Sequence, residues 1–240
     1  MKRLFGFTLA ETLIVMGIIG VVAALTLPNL NNSTGDKEKV VKVKKIYSNL
    51  QDAMGRAQAI YGPYDEWFGS DSSNEAKLKR FSERFTESMK LSKSCSNNTT
   101  AGCMTTGAMK NIAGTNYYNF TLVSSSNYAY QLADGTSLLI SYNKPDARGD
   151  FKLYVDIDGP TKGQFKYGVD VFEFFINTSN GLYYVDSNPL SHCRGHGSNL
   201  DTCEAWIFKY DNMDYTKVDN SLKCPDGTTT LDGTTNTSCK

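Results

Sequence analysis

The chain has 240 residues, 40% of them hydrophobic and 12% aromatic, with 25 basic and 25 acidic side chains that cancel. This composition supports a buried core and excludes a highly charged, disordered chain. The balanced charge creates no field that would draw the protein to nucleic acid or to an anionic surface, so no nucleic-acid partner is expected. In chain order, the first element is an apolar run from Phe7 to Leu27, FTLAETLIVMGIIGVVAALTL, in which Glu11 is the only charged residue. As an α-helix its 21 residues would span roughly 31 Å, about the hydrocarbon thickness of a bilayer. Lys2 and Arg3 precede the run, and such flanks stay on the cytoplasmic side, which predicts an N-in, C-out topology.

Three readings of this N-terminus compete, and they differ in where the chain is cut. An ordinary signal peptide would use Val22-Ala23-Ala24, a small-residue pattern that signal peptidase accepts, and would release a chain starting at Leu25. A plain membrane anchor would not be cut at all. The third reading is a prepilin leader. Glu11 weighs against the signal peptide, because a carboxylate within an apolar helix costs about 2.5 to 3.5 kcal/mol on insertion scales and persists where it has a function.

The segment Gly6-Phe7-Thr8-Leu9-Ala10-Glu11 resembles the cleavage and methylation motif of type IV prepilins and type II secretion pseudopilins, over roughly residues 1 to 30. The resemblance implies that a prepilin peptidase and methyltransferase cuts between Gly6 and Phe7 and methylates the new amino terminus on Phe7. Residues 1–6 are then a leader, and the apolar helix is retained. It further implies that Glu11 pairs with the Phe7 amine of a neighbouring subunit, which would set the register of assembly in low dielectric. Other copies or minor pilins in a helical filament, and an inner-membrane assembly platform, are the implied partners. The implied place is a single-pass inner-membrane protein with its C-terminal domain outside the cytoplasm, then a pilus or pseudopilus in the periplasm or at the cell surface. Pro28, at the end of the apolar run, is expected to kink or locally melt the helix.

After a polar stretch from Asn29 to Gly35, helical spacing resumes over 37–60 with Val43, Ile46, Tyr47, Leu50, Met54 and Ala57 on one face,. Residues 7–61 are therefore read as one long N-terminal helix, with 7–27 transmembrane or filament core. Lys42, Lys44 and Lys45 are expected on its solvated face, in preference to a membrane-phospholipid role. Gly62-Pro63 closes it, and residues 62–240 form the head domain. A second helix is expected from Ser72, with Ser72 and Glu75 as a capping box ahead of Leu78, Phe81, Phe85 and Met89,.

Residues 95–114, rich in Ser, Thr, Asn and Gly, read as loop,. From Tyr117 onward the pattern changes to aromatic and β-branched runs at 118–123, 128–133, 137–142, 151–157, 169–176, 181–185 and 205–210. Asp134-Gly135 and Asn180-Gly181 between them are hairpin signals. Helices followed by an antiparallel sheet give an α+β class, and this order agrees with the pilin-like fold that the resemblance implies, a sheet lying against the second half of the helix.

The six cysteines, Cys95, Cys103, Cys193, Cys203, Cys224 and Cys239, all follow the apolar run. An even count in an exported region implies disulfides in an oxidising compartment. Sequence order suggests the local pairs 95–103, 193–203 and 224–239, although six cysteines allow fifteen connectivities. His192, Cys193, His196 and Cys203 fit no zinc spacing, and the two cysteines are expected to pair with each other.

Asp156 and Asp158, followed by Gly163, Gly168 and Asp170, gather oxygen ligands near a strand end. The alternative is a tight turn of Asp, Gly and Pro. No cofactor is required by the sequence, and calcium is the ion these carboxylates would suit. Some pseudopilins place a calcium loop in this half of the chain, and the resemblance extends that reading to Asp156, Asp158 and Asp170. No GxSxG, GK[ST] loop or HExxH occurs, so nothing points to an enzyme. The expected function is a structural filament subunit, and the competing one is a secreted binding or adhesin domain.

Overall fold

A computed structural model describes residues 9–69, 71, 73–95, 102–112, 114–119, 127–146, 149–179, 181–185, 193, 203–216 and 230, without the side chains of 23–34, 118–119 and 143–146. The chain divides into two compact units, Met1–Glu38 and Lys39–Lys240. One helix, α1 (Leu9–Tyr61), contributes to both. Its backbone is helical through Pro28, where the sequence predicts a kink or local melting, and through Gly35 at the end of the polar stretch. A proline removes one backbone hydrogen bond and leaves the turns on either side intact, so the helix need not end there.

In the second unit the apolar stripe of α1 is buried at Val40, Val43, Ile46, Leu50, Ala53, Met54 and Ala57, the three- and four-residue spacing of a single helical face. The helix ends where expected. Gly62 has φ +81°, a conformation that side chains avoid, and its N–H donates to the Gln58 carbonyl,. Helix α2 (Asn74–Thr86) buries Leu78, Phe81 and Phe85. Its cap is Ser73, whose hydroxyl accepts from the Ala76 N–H at 3.1 Å, one residue later than the Ser72–Glu75 box; Ser72 lies outside the described residues. Glu75 instead falls in the first turn, where a carboxylate favours the positive end of the helix dipole.

The sheet has six strands: β1 (Leu91–Ser94), β4 (Asn127–Leu132), β5 (Ser137–Asp146), β6 (Gly149–Asp156), β7 (Val171–Asn177) and β8 (Gly181–Tyr183). They lie in that order, and every neighbouring pair is antiparallel. Two further strands, β2 (Ala108–Lys110) and β3 (Asn116–Asn119), pair separately. The fold is therefore α+β with an antiparallel sheet. Phe151, Leu153 and Val155 on β6 face the same way as Ile176, Phe174 and Phe172 opposite them on β7. Phe81 of α2 stacks on Phe151 at 4.1 Å between ring centroids, and Tyr47 of α1 meets Phe174 at 5.2 Å. These aromatic contacts join both helices to one face of the sheet.

Besides β1, a strand the sequence does not predict, three elements differ from expectation. Residues 205–210, predicted as a strand, belong to helix α3 (Cys203–Tyr210); a short apolar run carries no period that separates the two forms. The loop expected at 95–114 contains β2. The strand expected at 118–123 begins at Asn116 and joins β2 instead of the main sheet, and residues 120–126 lie outside the described residues.

Candidate assembly and docking sites

Within the first unit, every large apolar side chain from Leu9 to Val22 is 53–80% exposed. A helix that is apolar all round has no water-facing side and is suited to a membrane or to a bundle of like helices. Glu11 lies in its first turn and is exposed. Gly6 and Phe7 lie outside the described residues, as does the side chain of Pro28. Among the described residues no helix is long and apolar enough to cross a membrane; the run continues through residues 23–27, whose side chains are outside that set.

Two disulfides tie the second unit. Cys95 bonds to Cys103, and Cys193 to Cys203 at the start of α3. Both are the local pairs that sequence order suggests. Cys224 and Cys239 lie outside the described residues.

The lysines of α1 are not simply solvated. Lys39 reaches Asp170 at 2.7 Å, Lys42 reaches Asp158 at 3.3 Å, Lys44 reaches Asp211 at 2.8 Å and Lys45 approaches Asp134 at 3.7 Å. The pairs differ in worth: Asp170 is fully buried, whereas Asp211 and Lys45 are exposed and screened by water,. Tyr47 adds a hydrogen bond from its hydroxyl to the Leu182 carbonyl of β8 at 3.3 Å.

Asp156, Asp158 and Asp170 are brought together at the ends of β6 and β7. The Asp156 carboxylate accepts from the N–H groups of Asp158 and Gly159, each at 3.2 Å, and from the Thr105 hydroxyl at 3.4 Å. Burial pushes its pKa up to about 7; the negative charges of Asp170 and Asp158 add to the rise, and the two N–H bonds oppose it,. Asp170 accepts from the Gln164 N–H as well as from Lys39. Among the described residues no group of three or more His, Cys, Asp or Glu side chains is arranged to hold a metal ion.

A second buried acidic cluster carries no local sequence signal, because its members lie 31 to 37 positions apart in the chain. Strand β8 pairs with β7 only over 175–177. Beyond it, Glu204 of α3 accepts the Glu173 N–H at 2.6 Å, satisfying an amide that no strand among the described residues reaches,. The Tyr167 hydroxyl donates to the same carboxylate at 3.1 Å. Burial pushes the Glu204 pKa up to about 8, against those hydrogen bonds. The Glu173 side chain takes the Tyr117 hydroxyl at 3.2 Å and Lys152 at 3.2 Å. The Glu204 carboxylate thus fastens α3 to β7, while the Glu173 carboxylate faces Tyr117 of β3 and Lys152 of β6.

No protein-family model, curated protein or solved structure matches the chain.

Proposed function

We propose that the chain is a structural subunit of a helical filament, a type IV pilin or type II secretion pseudopilin, matured by a prepilin peptidase between Gly6 and Phe7. The observation that carries this reading is the helix from Leu9 to Val22, apolar and exposed on every side, with Glu11 as its one acidic residue. In water such a surface is unfavourable by roughly 25 cal/mol for each Å² left exposed. In a bilayer it is at its lowest free energy, and in a bundle of identical helices it becomes the core.

Glu11 then acts by charge. Cleavage after Gly6 creates a cationic amine on Phe7, four residues before Glu11. In an apolar surround the carboxylate of one subunit and the amine of the next stabilise each other, whereas either alone is penalised. This pairing fixes the stagger between subunits. The second unit, an α+β domain carrying disulfides, supports placement of the head in an oxidising space outside the cytoplasm,. Copies of the chain, minor subunits and an inner-membrane assembly platform are the partners of this role, and it requires no catalysis.

The test is mass spectrometry of the N-terminus after recovery from native membranes or a sheared surface fraction. A mature chain beginning with N-methylated Phe7 is the expected result. A chain beginning at Leu25 overturns it and leaves a secreted binding domain in its place.

A further inference from the structure

The segment between β6 and β7 wraps around carboxylates. Gly163 has φ +79°, and a Cβ built there would stand 2.9 Å from Asp170 Oδ2 and 3.3 Å from Asp158 Oδ2. The backbone therefore approaches the Asp170 carboxylate more closely than a side-chain-bearing residue permits, and it crowds that of Asp158,. Asp170 is fully buried and the Asp158 side chain is 18% exposed. Two such anions beside Asp156 require a compensating cation.

Calcium would need six to eight oxygens at about 2.3–2.6 Å, and the oxygens here are already taken. Those of Asp156 accept two N–H groups and a hydroxyl. One oxygen of Asp170 accepts the Gln164 N–H. What remains faces α1. The ammonium of Lys39 lies 2.7 Å from Asp170 Oδ1 and 3.8 Å from Asp158 Oδ2, and Lys42, one turn on, closes the other Asp158 oxygen at 3.3 Å,. Lys39 bridges the two carboxylates as a divalent ion would.

We infer that Lys39 is the resident cation of this loop. A charge tethered to α1 holds residues 156–170 in place without any metal ion, and removing it frees one oxygen each of Asp170 and Asp158, which calcium can bridge with water filling the rest of its shell,. Lys42 is the more exposed of the two lysines and acts at the rim.

The experiment is a thermal melt of the full-length chain in detergent, read by tryptophan fluorescence, in EDTA and in millimolar calcium. The native chain should melt at one temperature in both. Lys39→Met should melt roughly 6–12 °C lower in EDTA, and calcium should restore at least half of the loss. K42M should move the midpoint by less than about 3 °C and ignore calcium. K39M/D170N, with one charge removed from each side, should melt above K39M in EDTA and lose the calcium response. A native chain stabilised by calcium overturns the inference, as does K39M that melts unchanged or that falls and ignores calcium. Should K39M fail to fold in either solution, the double variant decides: folded, it identifies the unpaired carboxylate as the cause; unfolded, it rejects the assignment.

Discussion

The two ends of α1 share one backbone conformation and differ in everything their side chains do. From Leu9 to Val22 the large apolar residues point in all directions and are exposed, whereas from Val40 to Ala57 they keep to one face and are buried. The contrast shows that helicity alone does not assign a helix to an environment. Period does: an apolar stripe calls for a sheet to cover it, and an apolar cylinder calls for a solvent or bundle that is itself apolar.

The largest effect should separate those ends most sharply. Leu50→Ala, at a fully buried position, should cost the head about 3 kcal/mol in a denaturant or thermal melt, while Ile14→Ala should leave that transition unmoved. Cys193→Ser with Cys203→Ser, which opens a loop with a sequence separation of 10, should lower head stability by about 3 kcal/mol; an unchanged melting point would show that Glu204 holds α3 without the disulfide. Glu11→Val should reverse the pattern. It should leave the melt of the head alone and reduce the sheared filament fraction on the order of tenfold or more, one lost charge pair being worth at least about 1.4 kcal/mol.

A smaller effect is pH dependence confined to the head. Asp156 and Glu204 hold their protons in the folded chain to about pH 7 and about pH 8, against 3.8 and 4.5 as ordinary values. The folded state therefore binds more protons than the unfolded one between these limits, and stability should fall as pH rises from about 4 to about 8. The slope is at most about 1.4 kcal/mol per pH unit for each group. Glu204→Gln should flatten the upper part of the curve in melts taken from pH 5 to pH 8; an unaltered curve would remove Glu204 from the account. The smallest effect is Lys45→Ala, which breaks an exposed pair at 3.7 Å with Asp134 and should change stability by less than about 0.5 kcal/mol.

Much of the head was legible because its signals are local. The stripe from Val43 to Ala57, the helix stop at Gly62, the Asp134-Gly135 turn and the two disulfides each follow from residues close in sequence. Helix α3 was not, since CEAWIFKY is too short to show a period. Its identity rests on a disulfide at Cys203 and on Glu204 meeting an amide 31 positions away. Strand β1 was missed because LSKS is polar and mostly exposed, as an edge strand can be. The lysines of α1 read as a solvated face because their partners are far along the chain: Asp170 lies 131 positions from Lys39, and Asp211 lies 167 from Lys44.

That separation also has a temporal meaning. Strands β4 to β8 pair each with the next in the chain, so the meander consists of hairpins that can close as soon as each is synthesised. Helix α1 comes first in the chain, yet Asp134, Asp158, Asp170 and Asp211, which neutralise its lysines, arrive one after another and the last only with Asp211. For a chain emerging N-terminus first, docking of the helix is a closing step. The four ion pairs that fix α1 to the head are complete only when almost the whole head has been made.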